Sequence, residues 1–253
     1  MSGKVCIVTG GASGIGKATA AALLREGGTV VITDRNEPLG RQTEGELGGA
    51  CRFAAHDVTS EDQWRGLIAD VFARDGRLDV LVNNAGVSTM AGIEDVILEQ
   101  WRTVQAVNVE GVMLGCKYAI PAMRNSGSGS IINVTSTVVD QPLWFNPAYS
   151  ASKGAADALT RAVAVYCIQR GYNIRCNSVE PHGADTPLLE STLSELFSDL
   201  PPEAREKMRL RLGRPEAVAN AILFLASDEA SDLTGSALAL DRGARITMAA
   251  PPD

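Results

Sequence analysis

The sequence predicts an α/β fold: a doubly wound, mostly parallel seven-stranded sheet with helices on both faces. Short apolar runs alternate with segments of helical periodicity along the whole chain. The runs are apolar throughout, which is typical of strands covered on both faces. No linker, low-complexity tract or internal repeat interrupts this alternation, so residues 1–253 are predicted to form a single domain.

Seven short segments have the length and composition of buried strands. They are residues 5–8, 30–33, 51–55, 80–82, 130–134, 174–179 and 237–240. Connections between such strands are right-handed crossovers, which place helices on alternate faces of the sheet. The segments therefore predict a doubly wound arrangement.

Helical patterns lie between the strands. They cover residues 14–26, a polar segment from about residue 60, residues 98–123 and residues 147–169. Ser60 is a suitable N-cap for the polar helix, whose first turn contains two acidic residues. Residues 186–212 stand apart as an insertion, which we interpret as a substrate lid, and the tail 249–253 is expected to be loose or docked on a neighbouring subunit.

Composition excludes several classes of function. The chain is 45% hydrophobic and 21% charged, with a formal net charge of -7, so it offers no basic field for nucleic acid or an anionic membrane. No stretch reaches the ~20 apolar residues of a membrane span. Met1 leads into a strand within four residues, which leaves no room for a signal segment. We therefore expect a cytoplasmic protein.

Cysteine and histidine usage is consistent with that location. The five cysteines are scattered and form no CxxC motif, which favours reduced thiols. Only two histidines are present, His56 and His182, and they form no metal-site pattern. No metal cofactor is expected.

A glycine-rich turn joins the first strand to the first helix. Its pattern, TGxxxGIG at residues 9–16, lets the backbone approach a pyrophosphate at a helix N-terminus. Asp34 ends the second strand 18 residues past Gly16, near the expected distance of the acid that binds an adenosine ribose in Rossmann-like folds. A carboxylate there accepts hydrogen bonds from the 2′-hydroxyl and repels a 2′-phosphate. Asp34 thus favours NAD over NADP, although Arg35 beside it could pair with a phosphate.

A second pattern supplies acid/base chemistry. Tyr149 and Lys153 lie one turn apart on a predicted helix. A free tyrosine has a pKa near 10, and a nearby ammonium favours its phenolate. Such a pair can exchange a proton with an alcohol while a nicotinamide cofactor exchanges the hydride. An exposed helix pair would be the structural alternative.

Further motifs, in a fixed order, resemble the short-chain dehydrogenase/reductase family of single-domain type over nearly the whole chain. They are TGxxxGIG at residues 9–16, Asp57-Val58 after the third strand, Asn83-Asn84-Ala85-Gly86 after the fourth, Asn108 in a helix, Ser136 after the fifth strand, YxxxK at residues 149–153, and Pro181 and Thr186 after the sixth.

This resemblance implies roles for the matching residues. Tyr149 would be the acid/base, Lys153 would bind the nicotinamide ribose, Ser136 would orient the substrate oxygen, and Asn108 would anchor a proton-relay water. The cofactor would be bound by Gly10, Ser13, Gly14, Ile15, Gly16, Asp34, Asp57, Val58, Asn84, Tyr149, Lys153 and Thr186.

Within the family, the chain is similar to bacterial hydroxysteroid dehydrogenases of the 3β/17β type. The similarity rests on the run at 224–229 and on the run at 177–183, where His182 separates Pro181 from Gly183. It implies a hydrophobic alcohol or ketone as the substrate. Apolar residues near the motifs are consistent with this implication, although a core role for the insertion's leucines is an equal alternative. These residues are Met90, Leu143, Trp144, Phe145, Leu188, Leu189, Leu193, Leu196, Phe197 and Leu200.

The sequence thus predicts an NAD-dependent dehydrogenase for a hydroxysteroid or similar ring alcohol. The same chemistry on a non-steroid alcohol or carbonyl compound is the nearest alternative, and a non-catalytic NAD(H)-sensing protein is the alternative from another class. The family resemblance also implies a homotetramer, packed through helices at 101–124 and 148–170, with a dimer as the alternative.

Overall fold

The computed structural model describes residues 1–187, 189–190, 203 and 212–246. These residues form a seven-stranded parallel sheet of order β3-β2-β1-β4-β5-β6-β7. The strands are β1 Val5–Thr9, β2 Thr29–Asp34, β3 Cys51–Ala55, β4 Val80–Asn83, β5 Gly129–Val134, β6 Ile174–Pro181 and β7 Ala237–Leu240. The predicted fold class is confirmed, and each predicted strand is present with ends extended by at most two residues.

Helices cover both faces of the sheet. Within the described residues they are α1 Gly14–Arg25, α2 Glu37–Leu47, α3 Glu61–Asp75, α4 Leu98–Gln105, α5 Gly111–Ser126, α6 Pro147–Gln169 and α7 Pro215–Ala226. A π-helical turn, Ala106–Glu110, joins α4 to α5, and a 3₁₀ turn, Thr137–Val139, follows β5. The long helix α6 has the predicted bounds because Asn146 caps it and Pro147 occupies its first turn.

Helix α2 is absent from the sequence-based prediction. Its low apolar content and its Pro38, Gly40 and Gly45 weaken every local helix signal. The Asn36 side chain caps the helix by accepting a hydrogen bond from the Leu39 amide at 3.2 Å. Packing explains Gly40, because a Cβ there would lie 2.0 Å from the Phe53 ring of β3.

Two apolar layers hold the helices to the sheet. On one face, α3, α5 and α6 pack over the strands through residues such as Trp64, Met123 and Cys167. On the other face, α1 and α7 pack through residues such as Leu23 and Ile222. Removing these side chains from water is the main driving force that fixes the sheet between its helices.

Several expectations fall beyond the described residues. Most of the predicted lid at 186–212 and the whole of the tail at 249–253 lie outside them. Among the helices that the structure describes, none is long and apolar enough to cross a membrane. The same described residues contain no group of three metal-ligating side chains.

The two glycines of α2 provide a matched test of its packing. Gly40→Ala should lower the free energy of unfolding by about 1–3 kcal/mol, because the new methyl group overlaps the Phe53 ring. Gly45→Ala should raise it by about 0.5–1 kcal/mol, because no atom beyond its own stretch of helix lies within 4 Å of its Cβ position and alanine favours the helix. Urea unfolding followed by circular dichroism measures both. Equal effects of the two substitutions would contradict this packing.

Candidate active site

A cavity of about 700 Å³ opens at the carboxyl ends of the strands. Its wall includes Gly10 after β1, Asp34 at the end of β2, Asn84 after β4 and Pro181 at the end of β6. The strand order reverses between β1 and β4, and in open α/β sheets ligands bind at this position. The fold alone therefore directs attention to this cavity.

The turn after β1 has the geometry of a pyrophosphate cradle. Gly10 and Gly14 adopt φ angles of +62° and +51°, which side chains disfavour. A Cβ on Gly16 would lie 2.2 Å from the Gly10 carbonyl oxygen. Ser13 occupies the N-cap of α1, yet its side chain makes no cap hydrogen bond and lines the cavity beside Ile15. Open backbone at a helix N-terminus fits the diphosphate of a dinucleotide.

Hydrogen bonds of Thr9 and Asn84 join the turn after β1 to the loop after β4. The Thr9 hydroxyl accepts hydrogen bonds from the backbone amides of Asn84 and Ala85, both at 3.0 Å. The Asn84 amide donates to the carbonyl oxygens of Thr9 at 2.8 Å and Gly10 at 3.1 Å. Both hydrogens of Asn84 Nδ2 thus go to the turn itself, and the residue shapes the cavity wall.

Asp34 is fixed at the end of β2 by the adjacent backbone. One carboxylate oxygen accepts a hydrogen bond from the Asn36 amide at 3.0 Å, and the other from the Ala12 amide at 3.4 Å. Asp34 lines the cavity, whereas Arg35 does not. This placement suits the ribose-binding role predicted for Asp34.

Four predicted site residues do not line the cavity: Gly16, Asp57, Val58 and Asn108. The Asp57 carboxylate accepts hydrogen bonds from the amide and hydroxyl of Thr59, at 2.9 and 2.8 Å, and so shapes the turn after β3. Val58 is buried against α5, since a Cβ on Gly111 would lie 2.8 Å from its Cγ2. The structure places both residues in a supporting turn rather than in the cavity wall.

Helix α6 presents the predicted acid/base pair to the cavity. The ammonium of Lys153 lies 5.6 Å from the centre of the Tyr149 ring and donates a hydrogen bond to the Val134 carbonyl oxygen at 2.7 Å. Lys153 is 5% exposed, which rules out an ordinary surface pair. The Ser136 hydroxyl, at the start of the 3₁₀ turn, donates a hydrogen bond to the Pro181 carbonyl oxygen at 3.4 Å and lies close enough to Tyr149 to lower the pKa of its phenol. The structure thus brings Ser136, Tyr149 and Lys153 together.

Burial favours the neutral forms of both titrating groups. Desolvation raises the pKa of Tyr149 to about 12, and the Ser136 hydroxyl only partly opposes this rise. Desolvation likewise lowers the pKa of Lys153 to about 8. Near neutral pH the free protein therefore holds a neutral phenol beside a lysine that loses its proton more easily than an ordinary lysine but is still mostly an ammonium.

Asn108 supports this pair from behind. It lies in the π-helical turn, and its side chain exchanges two hydrogen bonds of 2.9 Å with the backbone of Val87. Its amide also donates to the Ser152 hydroxyl at 2.9 Å, and that hydroxyl donates to the Tyr149 carbonyl oxygen at 2.7 Å. The side chain thus connects the loop after β4 to α6, and both its amide hydrogens are used.

Thr186 and His182 close one side of the cavity. Thr186 faces the glycine turn, because a Cβ on Gly14 would lie 3.1 Å from its Cγ2. The Nδ1 atom of His182 lies 3.1 Å from the Thr137 hydroxyl oxygen. This contact gives a local structural role to His182, which separates Pro181 from Gly183. Thr186 and His182 both line the cavity.

Only part of the predicted apolar wall is in place. Leu143, Phe145 and Leu189 line the cavity. Trp144 is 83% exposed, and neither Trp144 nor Met90 lines the cavity. The remaining leucines and Phe197 of the insertion lie outside the described residues.

Sequence reasoning missed a set of ion pairs beside the cavity. Arg245 contacts Asp140, just after the 3₁₀ turn, and Glu180 in β6 at 3.1 Å. Burial raises the pKa of Glu180, and the positive charge of Arg245 opposes that rise. Arg245 is far from both partners in sequence, so no local motif could reveal the cluster.

Comparison with known proteins identifies the class. A family model described as enoyl-(acyl carrier protein) reductase matches residues 10–245. The chain belongs to the short-chain dehydrogenase/reductase family, which confirms the resemblance noted from the sequence. It is therefore an oxidoreductase of a family that binds a nicotinamide cofactor.

Individual relatives narrow the comparison. The chain is 43% identical over 244 residues to 3-beta-hydroxysteroid dehydrogenase of Comamonas testosteroni, covering 95% of each chain. It is 41% identical over 249 residues to cyclopentanol dehydrogenase of Comamonas sp. strain NCIMB 9872, covering 95% of this chain and 96% of the relative. The crystal structure of levodione reductase superposes with a TM-score of 0.92 at 27% identity, covering 98% of this chain and 100% of that one.

The buried lysine makes stability depend on pH in the cofactor-free protein. Its folded pKa of about 8 lies below its ordinary value of 10.5, so the unfolded chain binds the proton more tightly. Above pH 10.5 the lysine is neutral in both states and does not lower the free energy of unfolding. As the pH falls from 10.5 to 8, the unfolded chain gains a proton that the folded protein does not, so the free energy of unfolding decreases. Relative to wild type, Lys153→Met should therefore be more stable at pH 7 than at pH 10, by on the order of 3 kcal/mol.

Urea unfolding of both proteins at the two pH values measures this difference. Losing the hydrogen bond to Val134 lowers the stability of Lys153→Met by the same amount at both pH values. That cost therefore cancels when the two pH values are compared. Lys117→Met serves as the control, because Lys117 is exposed and its contact with Glu61 raises its pKa. That variant should show no such change between pH 7 and pH 10. A pH-independent difference for Lys153→Met would show that the buried lysine keeps an ordinary pKa.

Proposed function

We propose that this protein is an NAD-dependent oxidoreductase that interconverts a secondary alcohol and a ketone. The observation that carries the proposal is the group of Ser136, Tyr149 and buried Lys153 beside a glycine cradle in one cavity. The group provides a proton donor/acceptor and a hydroxyl to hold oxygen, next to a site that fits a dinucleotide. A protein that only sensed the cofactor would have no need of the buried phenol.

Tyr149 exchanges the proton in this reaction. In the reducing direction its neutral phenol, favoured by burial, donates a proton to the carbonyl oxygen of the substrate. In the oxidising direction the phenolate accepts the hydroxyl proton, and the ammonium of Lys153 one turn away stabilises that anion. A bound nicotinamide cofactor supplies the hydride chemistry.

Ser136 holds the reacting oxygen. Its hydroxyl belongs to a residue that is 8% exposed, and its position is fixed by the 3₁₀ turn that it caps. A hydroxyl held beside the reacting oxygen stabilises the charge that develops on it. Asn108 positions this machinery by joining the Val87 backbone to α6 through Ser152.

The cofactor preference rests on Asp34. Its two oxygens are oriented by backbone amides and its carboxylate faces the cavity. A ribose with a free 2′-hydroxyl can donate to this carboxylate, whereas a 2′-phosphate would be repelled. We therefore assign NAD as the cofactor.

The substrate is a hydrophobic ring alcohol or ketone, of which a hydroxysteroid is one candidate. The wall near Tyr149 contains Val138, Pro142, Leu143 and Phe145, which favour an apolar ring system. The names of two relatives refer to ring alcohols, one a steroid and one cyclopentanol. Non-steroid alcohols therefore remain the second candidate class.

We further propose a cytoplasmic homotetramer. All five cysteines are free thiols, as expected in a reducing compartment. Helices α5 and α6 expose Met113, Val165 and Ile168, which are 40%, 55% and 57% accessible. Apolar side chains exposed along two long helices favour burial between copies of the chain.

Tyr149→Phe removes the proton-transfer group while retaining the ring. We expect kcat for alcohol oxidation with NAD⁺ to fall by about 10²–10⁴-fold, because acid–base catalysis contributes this much. The Kd for NADH, measured by fluorescence titration, should change by no more than a few-fold. NADH formation from a panel of hydroxysteroids and simple cyclic alcohols gives the rates.

Tyr166→Phe is the matched control on the same helix. Tyr166 is 46% exposed and packs against Tyr172, away from the cavity. Its variant should retain wild-type rates. Unchanged turnover in Tyr149→Phe would overturn the mechanism, and binding of NADH without turnover of any alcohol by wild type would favour a sensing role.

Asp34→Ser should shift the cofactor preference. Loss of the charged acceptor should lower the ratio of kcat/KM for NAD⁺ over NADP⁺ by about tenfold or more, since hydrogen bonds to a charged group contribute ~1.5–3 kcal/mol. Glu37→Ser, which removes an exposed carboxylate outside the cavity, controls for the general loss of negative charge. A ratio that moves equally in both variants would remove Asp34 as the selecting residue.

A further inference from the structure

The cavity contains a polar pair that the proposed mechanism does not use. Ser88 lies in the loop after β4, and Asn146 caps helix α6; both line the cavity. Asn146 is 1% exposed, whereas Ser88 is half-buried. The Nδ2 atom of Asn146 lies 2.6 Å from the Ser88 hydroxyl oxygen.

The direction of this hydrogen bond follows from the cap. The backbone amide of Tyr149 is a donor and lies 3.3 Å from the Asn146 side chain, so the oxygen of that side chain must face it. The nitrogen then faces Ser88 and donates to it. Because a hydroxyl that accepts in this way retains its own hydrogen, Ser88 still has a proton to donate.

Among the described residues, none accepts a hydrogen bond from the Ser88 hydroxyl. The cavity wall includes the apolar side chains Leu143 and Phe145, and the Asn146 backbone amide donates to the Leu143 carbonyl oxygen at 3.1 Å. A hydroxyl donor in apolar surroundings is costly to leave without a partner once a ligand has displaced water. The donor is therefore available to whatever occupies the cavity.

We propose that Ser88, oriented by Asn146, binds a second oxygen atom of the substrate, remote from the carbon that reacts at Tyr149. The substrate class is then a ring alcohol or ketone with an additional hydroxyl or carbonyl group. This inference rests on the proposed function and narrows the class of substrates proposed there.

The second oxygen belongs to a neutral group. The described lining residues include no arginine. Their only lysine, Lys153, donates to the Val134 carbonyl oxygen, and their only histidine, His182, has Nδ1 3.1 Å from the Thr137 hydroxyl. A carboxylate or phosphate would therefore enter an apolar wall without a cation to pair with. A carbonyl or hydroxyl oxygen needs only the one donor that Ser88 offers.

The first experiment compares turnover of paired substrates. Each pair shares a skeleton and differs by one oxygen: cyclohexanol against the cyclohexanediol isomers, and a hydroxysteroid with and without a ketone on its distal ring. The quantity measured is the ratio of kcat/KM, bifunctional over monofunctional. Ser88→Ala should lower this ratio by about tenfold for at least one pair, because a site built to hydrogen-bond a substrate oxygen loses that discrimination with its donor.

Two variants sharpen the comparison. Ser88→Thr keeps a hydroxyl and should preserve most of the ratio. Thr89→Ala removes the adjacent hydroxyl, which does not line the cavity, and should leave the ratio at its wild-type value. A ratio that is the same in wild type and Ser88→Ala for every pair would overturn the inference.

A binding measurement separates this inference from the proposed function. Calorimetry in the presence of NAD⁺ gives the Kd of cyclohexanone and of the cyclohexanediones, which an oxidised cofactor cannot reduce. Tighter binding of a dione that disappears in Ser88→Ala supports the second-oxygen site, even if wild type turns over no alcohol and the proposed function fails. Equal affinity for the monoketone and every dione in wild type would overturn the inference while leaving the proposed chemistry in place.

Discussion

The site depends on the hydrogen bonds that join the turn after β1 to the loop after β4. Thr9 accepts two backbone amides from that loop, and Asn84 returns its side-chain amide to two carbonyl oxygens of the turn. These bonds hold the chain at the point where the strand order reverses. The glycine turn that we propose binds a pyrophosphate and the loop that leads to the proposed catalytic residues are therefore joined at one place in the fold.

Helix α6 then carries the chemistry to this junction. Its cap residue Asn146 holds the first turn, Tyr149 faces the cavity, and Ser152 and Lys153 bind polar groups behind it. Because the spacing along a helix is fixed, one cap sets the position of the phenol and the ammonium together. Burial then makes both groups titrate far from their ordinary pKa values, so their charges depend on what fills the cavity.

Much of this arrangement could be predicted from the sequence, and the features that could not be predicted have physical reasons. Buried parallel strands are continuous apolar runs, so their positions and the fold class could be predicted. The residues Ser136, Tyr149 and Lys153 lie in local motifs, and the structure brings them together. Helix α2 was not predicted, because Gly40 weakens the local helix signal and is explained only by its packing against the Phe53 ring in the next strand. Trp144 is exposed and lies outside the cavity lining, because apolar composition does not tell which side of a loop faces the cavity. Arg245 and its partners could not be predicted, since their contacts span 65 and 105 positions of sequence.

The long-range contacts of Arg245 have a consequence for biosynthesis. The strands β1 to β4 are synthesised first and form one side of the sheet, whereas α7, which shares an apolar layer with them, is synthesised after β6. The walls around Ser136 and Glu180 gain their shared cation only after residue 245 has left the ribosome. Because α7 packs on α1 behind the glycine turn and Arg245 braces the segments around Asp140 and Glu180, both halves of the cavity are completed only when the C-terminal part of the chain has been made.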